Sequence, residues 1–290
     1  MRGITRVVWI VTLAAIVGVM TIPALAQEGY KLRRVFKVND IRRYKMVMDI
    51  NGEMKMGENS MPLNMQMVMT YREKVAGIKD GKATVHTTIE STKMYMNGQE
   101  FASPMVPDMS NMVITTIIDE RNKVHEVKGL EKMTMGAPGL GGMNFGAGFN
   151  TPAMFPEDEV KVGDTWETEV PIPNAGDFKV TAKQTFIGLE KVGGVDAARI
   201  KTEVEIPYDK LMSAMAGQMP AGTPAMTGTM RLVSFTLYDL ATGNILKVDG
   251  DAVMSLQIAG GNPQAPQGMQ MNMTMKMSLT QVKDEKSTGK

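Results

Sequence analysis

Methionine is the residue of this chain whose type and spacing could do chemistry. In Met269-Gln-Met-Asn-Met-Thr-Met-Lys-Met277 a thioether recurs at every second position, and Met65, Met67 and Met69 repeat the pattern near the other end. Side chains on a strand point alternately to its two faces, so each run builds one apolar, sulfur-bearing face and one polar face. Methionine is unbranched and polarizable, which suits a plain deformable core, an adaptable apolar wall, or soft ligation of copper(I). In the first case methionine stands where Leu, Ile and Val usually stand on inward faces. In the second, Met46, Met48, Met65, Met67, Met69, Met271, Met273 and Met275 line a cavity that takes an acyl chain or another apolar ligand. In the third, Met269, Met271 and Met273 supply donors to copper(I). Copper needs three or more sulfurs converging on one point, whereas neighbours along a strand spread out, and no Cys or His joins any cluster. No metal and no cofactor is therefore the leading expectation.

Other chemistry is mostly eliminated. The chain has no cysteine and only two histidines, His86 and His125, which excludes a Cys nucleophile and leaves two possible bases. No Gly-x-Ser-x-Gly elbow accompanies them. His86 alternates with Thr84 and Thr88, opposite to Val85 and Ile89, which predicts a solvent-facing side chain. His125-Glu126 lacks the second histidine of a zinc-protease helix. The spacing in Gly77-Ile-Lys-Asp-Gly-Lys82 is too short for a phosphate loop, and Asp80-Gly81 reads as a hairpin turn. Glu157-Asp-Glu159 reads as a solvated acidic run. No catalytic residue is expected, and the chain is read as not an enzyme.

The elements that must carry the methionines are strands. Candidates run over 44–50, 61–74, 83–96, 112–118 and 124–127, and again over 166–172, 177–189, 198–206, 229–238, 245–258 and 269–282. Asn51-Gly52, Asp80-Gly81, Gly193-Gly194 and Thr242-Gly-Asn244 supply turn chemistry between them. No helix-length amphipathic segment interrupts them, so parallel crossovers are not expected. One short helix is predicted near 208–216, with Asp209 at its start and Leu211, Met212 and Met215 on one face. The predicted fold is all-β: two related antiparallel meander units forming a curved sheet or an open barrel.

Internal repetition supports the two units. Phe36-Lys-Val-Asn-Asp-Ile-Arg42 matches Val160-Lys-Val-Gly-Asp-Thr-Trp166. The stretch from Tyr71 to Ile89 matches that from Phe186 to Val204, and Ile118 to Val127 matches Tyr238 to Val248. Asn39 stands where Gly163 stands, and Asn122 where Gly243 stands, which predicts left-handed backbone at all four positions. The expected organisation is residues 1–26 as a signal peptide, 27–135 as the first unit, 136–156 as a Gly/Met-rich linker or lid, 157–283 as the second unit and 284–290 as a polar tail. Within 136–156, Met143, Phe145, Phe149, Met154 and Phe155 are apolar enough to fold over a cavity.

Arg2 and Arg6, the apolar stretch from Val7 to Thr21, and Ala24-Leu-Ala26 together read as a secretory signal cleaved after Ala26. No transmembrane segment is expected in the mature chain, which is placed in the periplasm or outside the cell. Removing Arg2 and Arg6 takes Lys+Arg from 32 to 30 against 31 Asp+Glu, a net charge of −1. That balance argues against a nucleic-acid partner. Aromatic residues are 6% of the chain and form no paired girdles, so an outer-membrane barrel is not expected.

The segment Pro156-Glu-Asp-Glu-Val-Lys-Val-Gly-Asp-Thr-Trp166 resembles one found in functionally uncharacterised bacterial exported proteins. Members carry Pro-x-x-x-Val-Lys-Val-Gly-Asp-x-Trp in the second half, a looser version in the first, and a turn like Asp239-Leu-Ala-Thr-Gly-Asn-Ile245 before the last long strand pair. The resemblance implies a duplicated β-rich exported protein and brings no catalytic residue. The expectation is a soluble, non-catalytic binding or structural protein of the bacterial envelope, with an apolar small molecule or an envelope protein as partner. Periplasmic copper(I) binding through thioethers is the alternative.

Overall fold

The computed structural model describes residues 28–101, 110–129, 153–172, 175–215, 225–260 and 268–282. The expected signal peptide, the polar tail and residues 136–152 of the expected linker lie outside the described residues. The strands are β1 (Ile41–Met56), β2 (Asn59–Lys79), β3 (Lys82–Met96), β4 (Gln99–Glu100), β5 (Val113–Asp119) and β6 (Val124–Lys128) in the first half. The second half holds β7 (Thr165–Pro171), β8 (Lys179–Val192), β9 (Val195–Pro207), β10 (Met226–Asp239), β11 (Ile245–Ile258) and β12 (Met269–Val282). Among the described residues one helix, α1 (Tyr208–Met215), follows β9. All strands join one antiparallel sheet in the order β6-β5-β3-β2-β1-β12-β11-β10-β9-β8-β7, with β4 flanking β3. The two predicted meanders are thus joined along β1 and β12 into one curved all-β sheet.

Period-two patterning made these strands. Along β11 and β12 buried and exposed residues alternate almost without a break. Lys45, Asp249, Asp251 and Lys276 point outward to solvent, and the methionines point inward. Among the described residues no helix is long and apolar enough to cross a membrane. One predicted turn is corrected: Asn51-Gly52 lies inside β1, and the chain reverses instead at Gly57-Glu58. Gly52 is needed there for contact and not for turning, because a Cβ would collide with the Asn272 carbonyl of β12. Its lack of a side chain lets two inner strands approach closely.

The sheet is rolled. Along the ladder β5 and β10 are six strand steps apart, which in a flat sheet is about 29 Å. Yet the adjacent amides of Arg34 and Val35 donate to Glu120 in the β5–β6 turn at 2.7 Å and to Thr242 in the β10–β11 turn at 2.8 Å. Neighbouring amides are under ~3.8 Å apart, so the two carbonyls lie within about 9 Å. Segment 153–160 closes the same end. Tyr30 and Val160 exchange backbone bonds at 2.8 and 3.0 Å, and Phe155 donates to the Arg121 carbonyl at 2.8 Å.

Each half seals this end with a small core. Phe155, Phe186, Ala198, Ile200 and Tyr238 pack with Leu32 and Val160 in one, and Val75, Ala83, Val85 and Ile118 pack with Phe36 and Val124 in the other. The turns leading into β1 and β7 carry the same three bonds. Asn39 N–H reaches the Val75 carbonyl at 2.9 Å, Asp40 N–H that of Lys37 at 3.0 Å, and Val75 N–H that of Asp40 at 3.0 Å. In the second half Gly163 reaches Phe186 at 2.8 Å, Asp164 reaches Lys161 at 3.0 Å, and Phe186 reaches Asp164 at 2.9 Å. Asn39, Asn122, Gly163 and Gly243 all have positive φ, at 67°, 61°, 95° and 66°. The bond pattern pairs Phe186 with Val75 and not with Tyr71, since a bulge follows each of the two paired residues.

Candidate functional site: the methionine face and its open end

Register builds the inner face into rows. Met94, Met67, Met48 and Met277 stand directly opposite one another on β3, β2, β1 and β12. One row of the second half sets Met230, Met254 and Met273 side by side on β10, β11 and β12. All belong to one apolar cluster, so seven of the eight predicted lining residues, Met46, Met48, Met67, Met69, Met271, Met273 and Met275, are buried within it. Met65 is half-buried, as is Met269.

Burial is graded across this face. On β11 and β12 the side chains of Met254, Met271 and Met275 are at most 1% exposed, so water does not reach them. Towards β1, β2 and β3, and away from the sealed end, the same inward positions open. Ile50, Met54, Leu63, Met65, Met94 and Met96 are half-buried, and Met61 at the hairpin tip is 48% exposed. The cause is topological. β5 pairs with the Lys82–Thr88 part of β3, so the outer halves of β1, β2 and β3 extend beyond it. On the opposite flank α1 covers the inner face: Tyr208 is buried and its hydroxyl donates to the Met254 sulfur at 3.3 Å. Burial pushes the Tyr208 hydroxyl up to about 12, so it remains a donor at any physiological pH.

Beneath the methionine rows the sealed end is polar. Tyr44 stacks on Tyr71 with centroids 5.3 Å apart, and its hydroxyl donates to the Ile245 carbonyl at 3.3 Å. Burial first, and the Glu73 carboxylate second, raise the Tyr44 hydroxyl well above its ordinary value. Arg34 pairs with Glu73 at 3.1 Å and donates to Asn244 at 3.3 Å, while Arg42 pairs with Asp40 and also reaches Asn244. These charges are internally matched, as buried ions must be. They form a floor joining the N-terminal segment, the first two strands and the β10–β11 turn.

Two methionines of β12 lean towards opposite neighbouring strands. Met273 Cγ lies 2.9 Å from where a Cβ of Gly52 would stand, so this side chain leans across β1. Met277 Cε lies 3.7 Å from the corresponding position of Gly250, on β11. Met269, Met271 and Met273 occupy successive inward positions along β12, with backbones ~6.8 Å apart at strand rise. Among the described residues no three His, Asp or Glu side chains gather as a metal site.

The remaining sequence candidates have structural partners. His125 Nε2 lies 2.9 Å from Asp119 Oδ2, and Asp119 Oδ1 accepts from the Arg121 and Lys123 amides at 2.9 and 3.0 Å. Burial works to raise the Asp119 carboxyl, but these hydrogen bonds outweigh it and hold the group below its usual range. Asp164 accepts from the Lys161 amide at 2.8 Å and closes its turn. Trp166 is half-buried and donates to the Met154 carbonyl at 2.7 Å. Phe155, one of the apolar residues of the expected lid, is fully buried against Tyr238 at the sealed end, with centroids 5.0 Å apart. Met143, Phe145 and Phe149 lie outside the described residues.

Sequence reasoning missed the open end. It treated both methionine runs alike, since alternation fixes a face but not what lies across it. The one available signal was length: the apolar alternation of 61–74 and 83–96 outruns that of 112–118.

No protein-family model matches the chain, and no curated protein sequence matches it significantly. Among solved structures, lipovitellin in a study of its lipid–protein interactions is similar at 8% identity and a TM-score of 0.46, over 86% of this chain and 26% of that one. This chain thus spans about a quarter of the lipovitellin chain. A DUF1329 family protein from Desulfovibrio piger is similar at 9% identity and a TM-score of 0.17, over 85% and 87% of the two chains. A putative outer membrane lipoprotein-sorting protein domain from Vibrio parahaemolyticus is similar at 10% identity and a TM-score of 0.14, over 84% and 87%. At these values the likeness assigns the chain to no family.

Proposed function

We propose that this is a non-catalytic envelope protein that holds an apolar small molecule at the open end of its rolled sheet. The observation that carries the reading is the gradient of burial along one continuous methionine face. Methionines of β11 and β12 are closed core, while Met54, Met65, Met94 and Met96 keep accessible surface beside Leu63. Flexible thioethers tolerate ligands of varied shape because they refill gaps with little strain. Met65 is the member of the predicted lining set with surface to offer, and the buried seven form the wall behind it. Export through the signal peptide read at residues 1–26 accompanies this role.

Organic extracts of the purified protein, analysed by mass spectrometry, test the reading. A stoichiometric apolar molecule is expected in the extract. Its absence, together with failure of the purified protein to take up any apolar probe, rejects the proposal and leaves a scaffold.

We also infer that the chain arose by duplication of a five-stranded unit, β1-β2-β3-β5-β6 and β7-β8-β9-β10-β11, with β12 added to join them. The twice-repeated three-bond turn and the two matching small cores support this.

A further inference from the structure

The open end concentrates one reactive group. Met54 and Met61 stand opposite one another on β1 and β2, and Met65 and Met96 do so on β2 and β3, with Met94 at the next inward position of β3. Met61 is 48% exposed and the other four are half-buried. Each projects from backbone already paired in the ladder, so these side chains can change without breaking strand hydrogen bonds. Met254, Met271 and Met275 carry the same group on the same face, but at most 1% of each is exposed.

Thioethers are oxidised where they are exposed, and the chain has no cysteine to react ahead of them. An accessible methionine takes one oxygen atom from hydrogen peroxide. The sulfur lone pair attacks one peroxide oxygen, the S–O bond forms as the O–O bond breaks, and the proton on the transferred oxygen passes to the departing hydroxide. Sulfur is oxidised by two electrons, the peroxide is reduced, and the products are one sulfoxide and one water. The sulfoxide is polar, so an apolar ligand seated against it buries an oxygen without a partner.

We propose that the outer methionines, Met54, Met61, Met65, Met94 and Met96, are a reversible oxidation site for peroxides, and that their conversion to sulfoxides empties the open end of its apolar ligand. The oxidation rests on exposure alone, and the release rests on the binding function proposed above. The closed core of β11 and β12 keeps its thioethers and holds the sheet together while the open end changes polarity.

A time course of hydrogen peroxide on the folded wild-type protein tests it, with peptide mass spectrometry and titration of the fluorescent probe 1-N-phenylnaphthylamine on the same samples. Met61 is expected to gain oxygen first and the other four outer methionines next, with Met254, Met271 and Met275 about tenfold slower. Probe binding should weaken about tenfold in step with sulfoxide at Met65 and Met94, the effect of one polar group left unpaired at an apolar contact. The melting temperature should change little, and methionine sulfoxide reductases of both epimer types should restore binding. Oxidation of Met254 as fast as Met61 overturns the site. Binding lost while Met65 and Met94 are still reduced, or kept once they are oxidised, overturns the release. So does a melting temperature that collapses in step with oxidation, which marks damage to the core. Failure of untreated wild type to bind the probe overturns the binding function and the release together, while the order of oxidation still decides the modification site.

Discussion

Truncating two methionines of the same inner face should give very different costs. Met254 is 0% exposed, lies between Met230 and Met273, and accepts a hydrogen bond from Tyr208. Met254→Ala removes three heavy atoms, worth about 2.4 kcal/mol at ~0.8 kcal/mol per methylene-sized group. The cavity left in a packed site, and the Tyr208 hydroxyl left without its acceptor, bring the expected loss to about 3–4 kcal/mol, within the usual range for this substitution. Met65 is half-buried. Its truncation removes the same atoms from a site that already meets water, so about 1 kcal/mol is expected. Met254→Leu, which nearly conserves volume, should cost less than ~1.5 kcal/mol. Urea unfolding of the mature protein, read as a shift in midpoint at constant slope, measures all three. Equal losses for Met254→Ala and Met65→Ala would refute the gradient between closed core and open end.

Further outcomes follow from the turns and tethers. Gly163→Asn should cost less than ~1 kcal/mol, because nothing lies within 4 Å of the added Cβ and Asn39 already holds the matching left-handed position; Gly243→Asn should cost more than ~2 kcal/mol, because its Cβ meets the Arg33 backbone. Thermal melts of the two variants separate them. Tyr238→Phe removes the hydroxyl that accepts from the Ala153 amide at 2.9 Å, and the orphaned donor should cost about 1–3 kcal/mol and release segment 153–156 to hydrogen exchange. Asp119 has a depressed carboxyl, so the stability it contributes is present above the unfolded carboxylate value of ~3.9 and fades as pH falls through its lower folded value. Asp119→Asn should therefore be less stable than wild type at pH 7, with the gap closing in acid unfolding curves; a gap independent of pH would show that the charge is not what matters.

The sheet was largely legible because period-two patterning is strong where one face is buried. β11 and β12 run over the residues alternation assigned, and α1 begins at the predicted Tyr208. Errors arose where a residue type has two uses. Asn51-Gly52 carries turn chemistry, yet Gly52 serves a close approach of β1 to β12 that only tertiary structure reveals. Tyr71 and Phe186 match as aromatics in the sequence, whereas Val75 and Phe186 are the residues that make the same turn bonds. The site was less legible than the fold. Alternation put Met65 and Met271 in one class, and among the described elements the short reach of β5 and the position of α1 distinguish the accessible methionine from the closed one.

The most direct test is the binding of 1-N-phenylnaphthylamine to the wild type and two variants. Met65→Gln with Met94→Gln places amides on the open end, whereas Val253→Gln changes a side chain 59% exposed on the outer face. Fluorescence titration should show saturable binding by wild type, at least tenfold weaker binding by the double variant with little change in melting temperature, and no change in Val253→Gln. Undiminished binding by the double variant, or no saturable binding by the wild type, would contradict a ligand site at the open end of the methionine face.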